Sequence, residues 1–217
     1  MPGVIRIINP NSNPAVTQGM SEAVEPLRLM GGPNLDCVTL EDGPFGIESQ
    51  DHVDAVIPML AEWVRTDQEA AAFVIGCYSD PGLALCREQT AKPVLGIAES
   101  AILTALTRGG SFGVISILSA SIPRHEKHLR ERNLHHQCAG DRALELSVAE
   151  VEAGTETFPR MLEIGTQLRD EDGAEVIIMG CAGMAKHRKP LEAALSMPVI
   201  DPTQAAASLA FGAVALG

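Results

Sequence analysis

Two cysteines, Cys77 and Cys181, are the residues of this chain best placed to carry chemistry. Each directly follows a glycine at the end of an apolar, largely β-branched run, at 72–76 and 176–180. Ligands of open parallel sheets gather at the carboxyl ends of the strands. A thiol with an ordinary pKa of about 8.5 can act as base or as acid after modest tuning. Two thiols on opposite faces of a carbon next to a carbonyl could therefore invert that carbon, with no metal or organic cofactor.

The surroundings of the two cysteines repeat along the chain. A Val-Ile-Gly-Cys run ending at Cys77 precedes a Pro-Val pair at Pro93, and an Ile-Met-Gly-Cys run ending at Cys181 precedes another at Pro198, at nearly the same spacing. The asparagine-rich run after the first apolar segment has a counterpart in the serine-rich run that includes Ser119. The repeat predicts two homologous lobes that share the cleft between them, with the cysteines on opposite walls.

The chain alternates short apolar runs with segments of helical length, which is typical of an α/β protein with parallel sheets. We predict four strands in each lobe, an N-terminal lobe of residues 1–98 plus 201–217, and a C-terminal lobe of 99–200. Prolines beside capping residues predict helix starts at Pro14, Pro81 and Ile122, with Asp80 as the cap before Pro81. The predicted strands are 3–8, 35–40, 72–77, 93–97, 111–117, 136–147, 175–180 and 197–200. A helix starting at Pro81 would also place its positive end beside Cys77, which favours the thiolate.

Composition excludes several classes of partner. The 217 residues include 16 Lys and Arg against 28 Asp and Glu, a net charge of −12, and only 3% are aromatic. We therefore expect neither nucleic acid nor an anionic membrane surface as a partner. The longest weakly polar stretch, 205–217, is too short to span a bilayer. The N-terminus has no signal-peptide pattern, so we expect a cytoplasmic protein.

The remaining cysteines and the histidines suggest no further site. The odd total of five cysteines does not indicate a disulfide framework, and Cys37, Cys86 and Cys138 are expected to be buried fillers. His125 and His128 lack the spacing of a zinc motif and lie among arginines and lysines. We expect no metal there, but a solvated basic face. Arg124 opens the same predicted helix and is a candidate for holding a substrate oxygen.

The sequence resembles the aspartate/glutamate/hydantoin racemase superfamily, and most of all its hydantoin and allantoin racemase branch. The matching stretches span almost the whole chain in the family's order: Ile7-Ile-Asn-Pro-Asn-Ser12, Gly76-Cys-Tyr-Ser-Asp-Pro-Gly82, Pro93-Val-Leu-Gly-Ile-Ala-Glu99, Gly180-Cys-Ala-Gly-Met184 and Pro198-Val-Ile-Asp-Pro202. The resemblance implies two pseudo-symmetric α/β lobes, usually in a homo-oligomer, and makes Cys77 and Cys181 the acid/base pair. It also places in the loops lining the substrate cleft Asn11, Ser79, Asp80, Ser119, Gly183 and Met184.

The motifs depart from those of the family's amino-acid racemases in a way that points to a neutral substrate. Those enzymes typically carry an Ala-Cys-Asn-Thr-like first motif and a Gly-Cys-Thr-His-like second one. Here the corresponding residues after Cys77 are Tyr-Ser, and those after Cys181 are Ala-Gly. The resemblance thus implies a small neutral cyclic ureide, a 5-substituted hydantoin or allantoin. The irregular stretch 41–48 could close over it, with Phe45 or Ile47 touching its substituent.

Three other functions remain open at this point. The superfamily includes maleate isomerases, which also keep two cysteines, and malonate-type decarboxylases, which keep one. A two-lobed protein could also bind a small ligand without catalysis. Activity on a diacid, or binding without proton exchange, would distinguish these from a racemase.

Overall fold

The structure is a computed structural model that describes residues 3–154 and 156–216. Met1, Pro2 and Gly217, at the ends of the predicted N-terminal lobe, and Thr155 lie outside that description. Its strands are β1 (Val4–Asn9), β2 (Asn34–Thr39), β3 (Ala70–Ile75), β4 (Val94–Gly96), β5 (Phe112–Ser116), β6 (Cys138–Ala143), β7 (Val176–Met179) and β8 (Val199–Ile200). Each corresponds to a strand predicted from the sequence, with ends shifted by a few residues.

The helices are α1 (Pro14–Val24), α2 (Gln50–Thr66), α3 (Leu83–Glu88), α4 (Ile97–Ala105), α5 (Ile122–Glu131), α6 (Val148–Ala153), α7 (Thr157–Asp170), α8 (Arg188–Leu195) and α9 (Pro202–Leu216). Short 3-10 helices cover Glu25–Leu27, Ser119–Ser121, His135–Gln137 and Ala182–His187. In the part of the chain that the structure describes, no helix is both long enough and apolar enough to cross a membrane.

The strands form two four-stranded parallel sheets with the same internal order. The first is β2-β1-β3-β4 and the second is β6-β5-β7-β8. The central strands β3 and β7 are apolar along their length because helices cover both faces of the sheet: Phe73, Val74 and Ile75 in β3 have no exposed surface. The predicted pair of parallel α/β lobes is confirmed.

The lobes share part of their core. One cluster of buried apolar side chains includes Ile7 and Val16 of the first lobe together with Ile115 and Val148 of the second. The last helix, α9, packs against α4, α1 and β3, and the Gln204 side chain donates to the Ala23 carbonyl at 2.7 Å. The C-terminal helix therefore packs against elements of the first lobe as well as against α4.

Two of the three predicted helix starts are found, and the third is wrong. Pro14 opens α1, with the Asn13 side chain accepting from the Ala15 N–H at 3.0 Å, and α5 begins at Ile122. The expected helix at Pro81 begins instead at Leu83, and Asp80 has a φ of 43°, outside the conformation of an N-cap.

Asp80 caps a different helix. Its carboxylate accepts from the backbone N–H groups of Ala98 and Glu99, both at 2.9 Å, at the start of α4. The approach is close: a Cβ at Gly96 would lie 2.2 Å from the carboxyl carbon of Asp80. At the start of α9, directly after β8, the Asp201 carboxylate accepts from the Gln204 N–H at 2.7 Å. The helices that follow β4 and β8 thus each begin at a buried carboxylate.

We expect Asp80→Ala to lower the free energy of unfolding by about 1–3 kcal/mol, because two buried N–H groups lose their acceptor. Burial raises the pKa of Asp80 to about 7. This group therefore contributes most below the ordinary carboxyl pKa, and its contribution falls as pH rises towards 7, so the loss should be larger at pH 5 than at pH 8. Urea unfolding at both pH values measures it. Asp54→Ala, an exposed carboxylate on α2, serves as the control and should change stability by less than about 0.5 kcal/mol.

Candidate active site

The two Gly-Cys motifs occupy equivalent positions in the two sheets. Cys77 lies two residues beyond the end of β3, and Cys181 two residues beyond the end of β7. The backbone N–H of the preceding glycine continues the hydrogen bonding between neighbouring strands in each case. Gly76 donates to the Ile8 carbonyl and Gly180 donates to the Ile115 carbonyl, both at 2.8 Å. A Cβ on either glycine would come within 2.8 Å of that same carbonyl oxygen. The motif therefore needs glycine so that the strand can stay paired up to the cysteine.

Both cysteines border one small cavity between the lobes. Its volume is about 30 Å³, far below the several hundred Å³ usual for a small-molecule pocket, so the cleft is closed in this structure. It is lined by Asn11, Val16, Ile47, Gly76, Cys77, Tyr78, Ser79, Ile117, Ser121, His125, Val148, Gly180, Cys181 and Ala182. None of these lining residues carries a Lys, Arg, Asp or Glu side chain.

Burial in the cleft makes both thiols weak acids. It raises the pKa of Cys77 to about 12 and that of Cys181 to about 11. The charge of Cys181 raises the pKa of Cys77 further, since one thiolate disfavours another. Both groups are thus thiols at neutral pH in the free protein, and at most one of them ionises readily.

Each thiol has a backbone donor two residues downstream. Hydrogen bonds from the Ser79 backbone and hydroxyl lower the pKa of Cys77, and one from the Gly183 backbone lowers that of Cys181. The helix dipole predicted to act on Cys77 is absent, because α3 starts only at Leu83. Local N–H groups are therefore what stabilises a thiolate on either wall.

Asn11 enters the cavity from a loop that fixes its orientation. Its Oδ1 accepts from the side chain of Asn9 and from the Asn13 N–H, both at 3.0 Å. The Asn9 Oδ1 in turn accepts from the Asn11 N–H at 3.2 Å. With Oδ1 occupied, the amide Nδ2 of Asn11 is the group left to donate to a ligand.

The irregular segment before α2 closes one side of the cavity. Ile47 lines it as expected, whereas Phe45 is 59% exposed and does not. Glu48 ties this segment to the second lobe by accepting from the Val148 N–H at 2.8 Å. Its charge also raises the pKa of Cys181, after the larger effect of burial.

Five residues expected in the substrate cleft do not line this cavity. The Asp80 carboxylate is committed to α4. Ser119 is exposed, and Ser121, at the end of the same 3-10 helix, borders the cavity instead. The Arg124 guanidinium turns back to the Ala120 carbonyl at 3.0 Å and the Ser121 hydroxyl at 3.3 Å. Met184 has no exposed surface in the core, and Gly183 acts on Cys181 through its backbone.

His125 is a lining residue that the sequence interpretation missed. The expected solvated basic face is wrong here: His125 is 7% exposed, and it faces inward from α5 together with Leu129. Its Nδ1 lies 2.8 Å from the Asp141 carboxylate and 3.2 Å from the Ser116 hydroxyl, and Tyr78 packs edge-on at 5.0 Å. The spacing of Ser121, His125 and Leu129, four residues apart, is the signal that could have placed them on one inward face.

His128 is also mostly buried, which lowers its pKa to about 4. Its Nε2 lies 3.9 Å from the Asp80 carboxylate. Across residues 3–154 and 156–216, no group of three or more His, Cys, Asp or Glu side chains has the arrangement of a metal site.

The other three cysteines lie away from the cavity. Cys37 is in β2, Cys86 is buried in α3, and Cys138 opens β6. Burial raises the pKa of each, to about 11, 11 and 12 respectively. Cys86 is buried as expected, whereas Cys37 and Cys138 are only partly buried, and none of the three lines the cavity.

The model of the family described as Asp/Glu/Hydantoin racemase matches residues 5–210, nearly the whole chain. The chain belongs to this racemase family.

Relatives within and around the family carry two kinds of name. A protein named hydantoin racemase from Paenarthrobacter aurescens is 35% identical, over 98% of this chain and 92% of its own length. Another hydantoin racemase, from Pseudomonas sp. (strain NS671), is 34% identical over 98% of this chain and 86% of its own. The solved structure of allantoin racemase from Klebsiella pneumoniae superposes with a TM-score of 0.93, at 29% identity, over 99% of this chain and 89% of that one. The expectation that the chain is an isomerase of the racemase type is confirmed.

For this racemase-family chain we expect Glu48→Gln to lower the pKa of Cys181. The amide oxygen can still accept from Val148 N–H, while the negative charge that disfavours the thiolate is removed. The measurement is the pH dependence of Cys181 alkylation by iodoacetamide in a Cys77→Ser background. Glu152→Gln, on α6 and outside the cavity, is the control. An unchanged or higher Cys181 pKa in Glu48→Gln would contradict the assignment.

Proposed function

We propose that the protein is a cofactor-independent racemase of a 5-substituted hydantoin or of allantoin, acting through Cys77 and Cys181. The observation that carries the proposal is that two pseudo-equivalent strand ends bring one thiol each to the lining of a single cavity, where we infer that they lie on opposite walls. A stereocentre held between them has one sulfur on each face.

The proposed reaction transfers one proton in and one proton out. The thiolate on one wall takes the proton from the ring carbon next to the carbonyl, so that an S–H bond forms and the C–H electron pair becomes an enolate. The thiol on the opposite wall then gives its proton to the other face, and its sulfur becomes the thiolate. One C–H bond breaks and one forms, with no net oxidation.

The lining of the cavity supports a neutral ring. Aliphatic groups form much of the wall, including Val16, Ile47, Ile117 and Val148. A dicarboxylate such as maleate, a malonate or an acidic amino acid would bury charge here with no cationic side chain among the lining residues, which is costly. A hydantoin buries only amide-like groups, which polar side chains can satisfy. The Asn11 amide is oriented to donate to one ring carbonyl, where it would also stabilise the developing enolate oxygen.

The closed cavity supports a mechanism in which the walls move. A five-membered ring cannot fit into about 30 Å³, so the 41–48 segment or the lobes must open to admit it. The single Glu48–Val148 hydrogen bond is a contact that such opening would break. Reclosure then removes water from the reacting atoms, which strengthens the electrostatic interactions on the enolate.

A homo-oligomer and a cytoplasmic location remain part of the proposal. Large apolar side chains are exposed on α4 and α9, with Leu103 at 52% and Leu209 at 40%. A second copy would cover surface of this kind.

Each single cysteine variant should lose racemisation but keep proton exchange on one face of the substrate. In deuterated water, we expect Cys77→Ser and Cys181→Ser each to lower the racemisation rate by about 10²–10⁴-fold. The remaining thiol should still exchange the ring-carbon hydrogen of one enantiomer, and the two variants should act on opposite enantiomers. Polarimetry and proton NMR on separate enantiomers measure the two effects.

Cys37→Ser is the matched control, because this partly buried thiol lies in β2 outside the cavity. It should racemise at the wild-type rate. The proposal fails if both active-site variants also do so, or if the wild type acts on maleate or a malonate and leaves hydantoins unchanged. Binding of a hydantoin with no deuterium incorporation would indicate a non-catalytic binder.

The pH dependence follows from the raised thiol pKa values of about 12 and 11. Only the thiolate is a base, and well below its pKa its population rises about tenfold per pH unit. We therefore expect kcat/KM to increase steadily between pH 7 and pH 9, after subtraction of the rate with the double Cys77→Ser/Cys181→Ser variant. A profile that is flat or falling over this range would show that the resting base is not one of these thiols.

A further inference from the structure

His125 is held in the cleft wall by a buried polar network. Nδ1 of the ring lies 2.8 Å from one carboxylate oxygen of Asp141, and the Ser116 hydroxyl donates to the other oxygen. A carboxylate accepts hydrogen bonds, so the ring proton belongs on Nδ1. In this tautomer Nε2 carries a lone pair and is an acceptor.

Nε2 is the free end of this network. It makes no hydrogen bond within the described residues, and, unlike Nε2 of His128, it is not sealed within the protein. The ring borders the same cavity as the two cysteines and, on its other side, a smaller cavity of about 20 Å³ that His128 also lines. Tyr78 packs against the ring edge-on at 5.0 Å, which helps to fix its plane. Nε2 of His125 is therefore a hydrogen-bond acceptor of fixed orientation in a cavity wall that is otherwise largely apolar.

We propose that Nε2 of His125 accepts a hydrogen bond from a ring N–H of the substrate. The inference rests on the proposed function and makes it more specific: the ligand is a cyclic ureide or imide that keeps an unsubstituted N–H next to a carbonyl. His125 is then a specificity-determining residue. His125 complements Asn11, which reaches the cavity from the other lobe and has its amide Nδ2 left to donate a hydrogen bond.

The two lobes thus present opposite hydrogen-bonding groups to the ring. A lactone, an oxazolidinedione substituted on nitrogen or a hydantoin methylated on the nitrogen that faces His125 would leave the His125 lone pair buried and unpaired. An unpaired buried acceptor weakens binding more than the loss of a solvent-exposed contact would.

The test pairs a ring substitution with a side-chain substitution. Calorimetry gives the Kd of 5-isopropylhydantoin and of its N1-methyl and N3-methyl derivatives with wild type, His125→Asn and His125→Gln. For wild type, we expect one of the two methyl groups to weaken binding by about 10- to 100-fold. In His125→Asn the side-chain amide can keep the Asp141 contact but does not reach the ligand, so the parent and that methyl derivative should bind alike. His125→Gln carries an amide oxygen near the position of Nε2 and should restore part of the preference.

His136→Asn is the matched control, because it makes the same change at an exposed histidine and should keep the wild-type preference. The inference is overturned if wild type binds all three ligands alike, or if His125→Asn keeps the full N-methyl penalty. Because the readout is binding, it is independent of turnover. Failure of the two-thiol racemase would appear separately, as wild-type binding without deuterium exchange at the ring carbon.

Discussion

Burial of two thiols in one cleft is the constraint on which the rest of the site depends. Removing water raises the pKa of both Cys77 and Cys181, and it also strengthens the repulsion between two negative sulfurs. A cleft that disfavours a second thiolate leaves one sulfur protonated once the other has ionised. The backbone donors at Ser79 and Gly183 are placed so that either sulfur can hold the charge. In the proposed mechanism, the acid and base roles are therefore a property of the pair, and no further residue is needed to mark one thiol as the base.

The pseudo-symmetry that creates the pair is kept in the backbone and broken in the side chains. Both sheets have the same strand order, and both Gly-Cys motifs pair with the neighbouring strand in the same way. The helix-capping carboxylate, in contrast, comes from Asp80 in the loop after β3 in the first half of the repeat and from Asp201 directly after β8 in the second half. The end of β1 leads to the Asn11 amide, whereas the region after β5 leads to the His125 ring. A racemase needs equivalent bases on the two faces of the substrate but asymmetric substrate contacts, since its substrate ring has different groups on either side of the stereocentre.

Much of this architecture could be predicted from the sequence, because it follows from patterns along the chain. Runs of strand length, most of them apolar, located all eight strands, and the repeated Gly-Cys motif located both thiols, since each feature is local. Asp80 was assigned wrongly because its partners, Ala98 and Glu99, are nearly twenty residues away and no local rule connects them. His125 was missed because its neighbours in sequence are charged, while its environment is set by Asp141 on β6. The Arg124 side chain, which was expected to hold a substrate oxygen, instead hydrogen-bonds to residues just before its own helix. Side-chain direction in loops depends on tertiary contacts that residue type does not reveal.

The small, closed cavity has a further consequence for repeated turnover. In the proposed two-thiol mechanism, each conversion moves the negative charge from one sulfur to the other, so the protein that releases a product is not in the state that bound the substrate. With little room for water between the walls, the charge returns only when the cleft opens or when the opposite enantiomer is processed. The protonation state of the two thiols would then depend on which enantiomer was converted last. Far from equilibrium, recovery of the starting form could limit the overall rate, whereas at equilibrium the two directions would reset each other.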